Sequence, residues 1–157
     1  MRLRQWTFAA VQHKLPDMDQ EMIIEDVLSL PDWRDRLCAL LLSLEPEARR
    51  ARFHAAVSEE TLRNYCAQSA PVALILATRG GQVIGSAELH EVDGGLEMAI
   101  CVAPGERGRG HGRLLALAAV RTAHARGVPR LRAVCEAGNR AMRRLCRATE
   151  GLVEVPA

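Results

Sequence analysis

The sequence predicts one α/β domain whose central sheet is mixed, mostly antiparallel and flanked by helices. Its 157 residues suit a single hydrophobic core, and 48% of them are apolar. Residues 71–102 contain three apolar segments separated by glycine turns, which is typical of an antiparallel meander. Segments of helical periodicity stand before and after this meander. We therefore expect helices to cover a sheet built around residues 71–102.

The first part of the chain predicts one strand and two helices. Residues 1–20 form an N-terminal extension, part of it β-like, and residues 21–157 form the domain. The apolar segment MIIEDVLSL (22–30) predicts a strand. Pro31 then opens a helix with apolar residues at helical spacing, and Ser58 is a typical N-cap for a second helix.

The remainder of the chain predicts five strands and two helices. The expected strands are 71–79, 82–92, 96–102, 130–137 and 151–155, and the expected helices are 110–126 and 139–148. Asp93-Gly94 is a hairpin signal, and Gly127 ends the first of these helices. The complete order is β α α β β β α β α β, which predicts a mixed sheet.

Composition argues against several classes of protein. No apolar run reaches about 18 residues, and the N-terminus lacks a signal-peptide core, so we expect a cytoplasmic protein without a membrane partner. The five cysteines are odd in number and lack CxxC spacing, and the five histidines are scattered. We therefore expect neither a disulfide framework nor a metal site.

Charge is distributed unevenly along the chain. Residues 1–100 carry a net charge of −5, whereas residues 101–157 carry +7 and every base among them is arginine. Arginine-rich segments suit phosphate, because the planar guanidinium binds it through two donors. All five aromatic residues lie outside the basic part, so single-strand nucleic acid is not the expected partner.

The segment VAPGERGRGHGRLL (102–115) places a glycine-rich loop between a strand and a helix. The first N–H groups of a helix lack intrahelical partners, and the helix dipole adds positive charge, so this junction predicts an anion site. A P-loop requires Lys-Ser/Thr after Gly112, where Arg113-Leu114 stand. A dinucleotide fingerprint starting at Gly108 requires glycine at position 113. Neither pattern fits.

The pattern that fits is V-x-P-x-x-R-G-x-G-x-G-x-x-L, which resembles the acyl-CoA motif of the GNAT superfamily of N-acetyltransferases. This resemblance implies a GNAT-like fold with acetyl-CoA as co-substrate and no metal. Backbone amides of 107–112 would surround the CoA pyrophosphate, and the preceding strand would pair with the pantetheine arm. The residues expected to bind CoA are Cys101, Val102, Arg107, Gly108, Arg109, Gly110, His111, Gly112, Arg113 and Asn139.

Acetyl transfer to an amine requires a base, because a lysine amine has a pKa near 10.4 and must attack in its neutral form. Glu97 is the candidate base, since it matches a glutamate that related acetyltransferases use in this role. Glu88 and Glu91 on the neighbouring strand are weaker candidates. A strand N–H beside the thioester would stabilise the developing oxyanion.

Two positions after the next strand extend the resemblance. Asn139 opens a helix as the family's asparagine does, and N-capping and CoA binding are compatible roles for it. Cys146 stands where the family often has a tyrosine that acts as general acid. Its thiol either protonates the departing CoA thiolate or packs in the core; direct attack without a dedicated acid is a further alternative.

The acceptor is less specified than the co-substrate. The segment SLEPEARRARFHAAVSEETL (43–62) is similar to the first-helix region of bacterial protein-lysine acetyltransferases. The resemblance therefore implies an amine acceptor, either a small molecule or a protein lysine. The alternative is a non-catalytic acyl-CoA-binding regulatory domain on the same fold, because a fold does not fix a function.

The C-terminal region departs from the family pattern. The family's usual last strand has no counterpart after the strand at 151–155, so we expect an unfilled slot or edge in the sheet. Residues 3–11, or the second subunit of a homodimer, are the candidates to fill it.

Overall fold

The computed structural model describes residues 11–13 and 22–157 and confirms the mixed α/β class. The strands are β1 (Val11–His13), β2 (Met22–Asp26), β3 (Ala73–Arg79), β4 (Gln82–Val92), β5 (Gly95–Val102), β6 (Leu131–Cys135) and β7 (Leu152–Pro156). The helices are α1 (Trp33–Ser43), α2 (Pro46–Phe53), α3 (Glu59–Gln68), α4 (His111–Ala125) and α5 (Arg140–Ala148). Among these described helices, none is both long and apolar enough to cross a membrane.

The seven strands form one sheet in chain order. Strands β1 to β5 are antiparallel to one another, as the predicted meander requires, whereas β5–β6 and β6–β7 are parallel. Parallel neighbours need a crossover connection, and α4 and α5 provide these two crossovers. The sheet is therefore mixed and mostly antiparallel.

Helices cover both faces of the sheet, which explains why β3 is buried along almost its whole length. Leu74 and Leu76 of β3 pack with α1 and α3 on one face. Ile75 and Ala77 point to the other face and pack with α4. Each face thus has its own hydrophobic core.

A close contact between β4 and α4 fixes the start of α4 over the sheet. A Cβ atom at Gly85 would lie 2.8 Å from Leu115 Cδ1 and 3.1 Å from the Cys101 carbonyl oxygen. Only glycine therefore fits at position 85 without a shift of α4 or β5. The pairing of β3 and β4 also shifts register beside this glycine, between Ala77 and Thr78.

Strand β2 is shorter than predicted. The sequence indicated a strand over 22–30, but β2 ends at Asp26. Its carboxylate Oδ1 accepts hydrogen bonds from the N–H groups of Leu28, at 3.1 Å, and Leu74, at 3.2 Å. These bonds turn the chain away from the sheet, as short polar side chains commonly do.

The prediction of two helices before the meander was wrong, because the structure has three. The additional helix is α2, which begins with Pro46 at its first turn and contains no buried residue. Sequence periodicity detects a helix through its apolar stripe, and α2 has none.

Strand β7 confirms the predicted last strand and pairs with β6 along all five of its residues. Strand β1, which contains Val11, lies at the opposite edge of the sheet and pairs with β2. Val11 therefore does not fill a slot beside β7. The other residues of that hypothesis, 3–10, lie outside the described residues.

Candidate active site

The site lies where two neighbouring parallel strands separate. Strands β5 and β6 are paired only at Leu96–Leu131 and Glu97–Arg132. Beyond Glu97, β5 continues to Val102 with no strand partner on that side in the described chain. The N–H and C=O groups along that edge of residues 98–102 are therefore available to an extended ligand. Two clefts open at this divergence.

The larger cleft has a volume of about 480 Å³. Its walls are the end of β5, the loop before α4, the first turn of α4, helix α2 and the first half of α5. From the loop and α4 it is lined by Arg107, Gly108, Gly110, His111 and Gly112; from α5 and its N-cap, by Asn139, Met142 and Leu145. Eight of the ten residues predicted to bind CoA line this cleft, and Arg109 and Arg113 do not.

The loop before α4 can offer its backbone N–H groups to a ligand, because several of its residues are glycines. Gly108 and Gly110 have φ values of 74° and 85°, so their conformations favour glycine. Gly112 is different, because its φ is ordinary and a Cβ there would meet nothing closer than Val102 Cγ2, at 3.9 Å. Neither strain nor packing requires glycine at 112. Its bare backbone leaves room for a ligand at the N–H groups of the first turn of α4.

A carboxylate anchors this loop from inside. Glu106 forms an ion pair with Arg79 at the end of β3, and its Oε2 lies 3.9 Å from Arg109. The same oxygen lies 3.3 Å from Nε2 of His111, a side chain that is almost completely buried. These contacts fix the loop to the sheet. Arg113 is exposed and does not line the cleft.

Arg107 has partners on two sides of the larger cleft. Its Nε donates to the Val102 carbonyl at 3.3 Å, and its NH1 donates to the carboxylate of Glu45, the N-cap residue of α2. The hydrogen bond from Arg107 holds the pKa of Glu45 below its ordinary value. Glu45 is therefore an anion that is paired with an arginine of the loop.

Cys101 contributes its backbone rather than its thiol. Its Sγ lies 3.4 Å from Ser86 Oγ on β4, and burial raises the pKa of the thiol. The sequence predicted Cys101 as a CoA-binding residue on the strand beside the pantetheine arm, and Cys101 lines the larger cleft at the open edge of β5.

The smaller cleft has a volume of about 190 Å³ and contains Glu97. It shares Ala51, Arg52, Ile100, Asn139 and Met142 with the larger cleft. Glu97 is half-buried and has no hydrogen-bond or ion-pair partner within residues 22–157. Its cross-strand neighbours are His90 on β4 and Arg132 on β6. An unengaged carboxylate thus lines the smaller cleft, which shares a wall with the larger one.

A buried polar cluster supports the wall of both clefts. Arg52 of α2 donates to Glu88 Oε1 at 2.5 Å, and the Tyr65 hydroxyl donates to Glu88 Oε2 at 2.6 Å. His90 Nε2 lies 3.3 Å from the same Oε2. The side chains of Arg52 and Glu88 are only 8% and 0% exposed, so this ion pair is largely buried.

The cluster keeps the Glu88 carboxylate ionised and hydrogen-bonded. Burial alone would raise the pKa of Glu88, but the charge of Arg52 and the hydrogen bonds from His90, Tyr65 and Arg52 lower it to about 2. The Tyr65 hydroxyl has its pKa raised to about 12, mainly by burial. Glu88 is thus a fully engaged anion, and neither it nor the exposed Glu91 lines a cleft.

The last two predicted site residues lie on α5 and differ in position. Asn139 caps α5 by accepting a hydrogen bond from Met142 N at 3.0 Å, and it lines both clefts. Cys146 is buried, its Sγ lies 3.9 Å from that of Cys135, and it lines neither cleft. Burial raises the pKa of its thiol. The surroundings of Cys146 are those of a packing residue.

Sequence reasoning missed the contribution of α2. Glu45 and Arg52 were not among the predicted site residues, and neither was Tyr65. Pro46, a typical first-turn residue, was the available signal for α2. Nothing local in the sequence shows that Arg52 reaches Glu88, 36 positions further along the chain.

Comparison with known proteins agrees with this geometry. A family model described as the acetyltransferase (GNAT) family matches residues 34–149. The chain therefore belongs to the GNAT acetyltransferase family. No curated protein matches the chain significantly.

Solved structures share the fold. The GNAT domain of the S. lividans PAT superposes with a TM-score of 0.68 at 19% identity, covering 82% of this chain and 80% of that one. An aminoglycoside N-acetyltransferase in complex with CoA gives a TM-score of 0.62 at 18% identity, covering 85% and 90%. A ribosomal-protein-alanine N-acetyltransferase from Brucella melitensis gives a TM-score of 0.57 at 28% identity, covering 80% and 81%.

Proposed function

We propose that this protein is an acetyl-CoA-dependent N-acetyltransferase that transfers acetyl from CoA to an amine. One observation carries the proposal. The backbone-built anion site at the start of α4 opens into a cleft that shares a wall with a second cleft containing the unengaged Glu97. A donor site thus adjoins an acceptor site that contains one unengaged carboxylate.

The residues of the larger cleft fit CoA. The N–H groups around Gly110 and Gly112 suit the pyrophosphate, and the missing Cβ at Gly112 leaves room for it. The free edge of β5 at residues 98–102 suits the amide groups of the pantetheine arm. The thioester at the end of this arm would then reach the junction of the two clefts.

Glu97 is the proposed base. The acceptor amine loses a proton to Glu97 as its nitrogen forms a bond to the thioester carbon. The carbon–sulfur bond then breaks, and CoA leaves with the sulfur's electron pair. A backbone N–H on the open edge of β5 would stabilise the negative charge on the carbonyl oxygen. No acid is required, because a thiolate is a stable leaving group.

The acceptor is proposed to be a slender primary amine, such as a lysine side chain. The volume of the smaller cleft, about 190 Å³, supports one aliphatic amine rather than a polycyclic one. The structural neighbours span both kinds of acceptor, since they include an aminoglycoside N-acetyltransferase and a ribosomal-protein-alanine N-acetyltransferase.

Thermal unfolding with CoA, ATP or NADH tests the co-substrate proposal. Ligand at about 100 times its Kd stabilises the folded state by roughly 2.7 kcal/mol, and we expect this shift with CoA alone. Gly112→Ala should remove the shift without lowering the stability of the free protein, because its Cβ would meet only Val102 Cγ2, at an ordinary contact distance of 3.9 Å. Gly138→Ala is the matched control, since its Cβ would meet nothing within 4 Å and Gly138 lines neither cleft. No shift in a protein that melts cooperatively would overturn the proposal.

The second candidate is a domain that binds acyl-CoA without turnover. The position of Cys146 favours it, because the residue that replaces the family's usual acid is buried away from both clefts. Release of free thiol from acetyl-CoA with polylysine and with small primary amines distinguishes the two. Binding without thiol release for every amine would support the second candidate.

A further inference from the structure

Helix α2 forms a wall of both clefts and is attached by polar contacts together with the partly buried side chains of Ala48 and Phe53. It has no buried residue. Arg49 donates to the carbonyl oxygens of Leu42 and Leu44, each at 2.9 Å, and Arg52 reaches Glu88. Its hydrophobic attachment is therefore limited to partly buried side chains, which is less than the buried face that keeps most helices rigid.

The two ends of α2 meet the two clefts. At its N-terminus, Glu45 forms an ion pair with Arg107, an arginine of the proposed phosphate loop. At its C-terminus, Phe53 and His54 line the smaller cleft. His54 Nδ1 also lies 3.7 Å from Glu136 Oε1, across the mouth between α2 and the segment before α5.

The Glu45 carboxylate resembles a phosphate oxygen in charge and in the donor it uses. A guanidinium that binds one anion at its NH1 is not free to bind a second there with the same geometry. The pKa of Glu45 lies below its ordinary value, so the group remains anionic at neutral pH. Phosphate and Glu45 are therefore competing partners for Arg107.

We propose that Glu45 is a positioning residue that competes with CoA phosphate for Arg107, and that α2 thereby couples CoA binding to the shape of the acceptor cleft. When phosphate binds Arg107, Glu45 is released and α2 loses this ion pair at its N-terminus. The other end of α2 then adjusts around the acceptor. This inference rests on the proposed function, since it requires CoA in the larger cleft.

Calorimetric titration of CoA into the wild-type protein and into Glu45→Gln tests the competition. Both partners of this pair are nearly half exposed, at 47% and 43%, so the effect is modest. We expect Glu45→Gln to lower the Kd for CoA by about two- to five-fold, the range of an exposed ion pair. Glu60→Gln is the control, because it removes the same charge at an exposed position of α3 that lines neither cleft and has no ion pair in the described chain. Its effect should be clearly smaller, since salt screens a distant charge.

A double-mutant cycle separates competition from a merely structural role. In an Arg107→Gln background, Glu45→Gln should leave the Kd unchanged, because the contact it removes is already absent. A weaker Kd for Glu45→Gln in the wild-type background would overturn the proposal, since Glu45 would then hold Arg107 ready for phosphate. Equal Kd values for the wild-type protein and Glu45→Gln would overturn the proposal as well. No CoA binding by any variant would instead overturn the proposed function, and this inference with it.

Amide hydrogen exchange of residues 46–57 tests the coupling. We expect Glu45→Gln to speed exchange in this segment without ligand, and CoA to have the same effect on the wild type. CoA should add little in the variant. Unchanged exchange in both cases would show that α2 does not transmit the occupancy of the larger cleft, and would overturn the coupling.

Discussion

The two walls of the larger cleft are built in opposite ways. The wall at α4 consists of backbone from one continuous segment, with Gly108, Gly110 and Gly112 leaving its N–H groups exposed. The wall at α2 consists of charged side chains whose partners lie far away in sequence, as Arg52 with Glu88 and Glu45 with Arg107.

This difference separates a fixed site from an adjustable one. A backbone site is held by the helix and sheet that carry it, so it is preorganised for its ligand. A wall held by ion pairs changes when one partner finds another anion or cation. We therefore expect the α4 wall to determine which co-substrate binds, and the α2 wall to determine how the acceptor is received.

Glu97→Gln should have the largest effect, because it removes the proposed base. We expect kcat to fall by about 10²- to 10⁴-fold, the range for a general base. The Kd for CoA should stay close to that of the wild type, because Glu97 lines only the smaller cleft. The measurement is thiol release with a saturating amine, alongside calorimetry. Full activity in the variant would require another base.

Arg52→Met should destabilise the protein strongly, because it leaves the Glu88 carboxylate buried and unpaired. Removing one partner of a buried pair costs about 3–5 kcal/mol of the free energy of unfolding. Denaturant titration measures this loss. The double variant Arg52→Met with Glu88→Leu should recover much of it, because no uncompensated charge remains. Equal losses in the single and double variants would contradict this explanation.

Acid should destabilise the same cluster. The folded-state pKa of Glu88, about 2, lies below the ordinary value of 4.5. The carboxylate therefore stabilises the fold above about pH 4.5, and that contribution is lost as the pH falls toward 2. Melting temperatures over this range should fall more steeply for the wild type than for Glu88→Gln. The exposed Glu60→Gln variant should follow the wild-type curve.

Cys146→Ala should have the smallest effect, on stability rather than on chemistry. Removing a buried thiol that packs against Cys135 should cost about 1 kcal/mol, the centre of the range for point variants. Denaturant titration measures this cost, and the pH profile of thiol release should keep its shape. Loss of the profile's alkaline limb would restore Cys146 as the general acid.

Prediction from sequence succeeded where the determinants are local. The glycine loop, its following helix, the meander and the final strand were all identified from patterns within about 15 residues of chain. Asn139 was identified as an N-cap because the cap and its helix are adjacent.

Prediction failed where the determinants are distant or polar. Helix α2 lacks an apolar stripe, so periodicity did not show it. The end of β2 depends on a hydrogen bond that the Leu74 N–H donates to Asp26 Oδ1, and no window around Asp26 contains Leu74. The cluster around Glu88 needs three elements to meet, and the sequence indicated Glu88 only as a weaker candidate base on a strand.

A crystal structure of the protein with bound CoA tests the central claim most directly. We expect the pyrophosphate to lie within hydrogen-bond distance of the N–H groups of residues 107–112, and the pantetheine arm to lie along the open edge of β5. The sulfur would then lie at the junction of the two clefts, near Glu97. CoA bound elsewhere, or with its sulfur directed away from Glu97, would contradict the account.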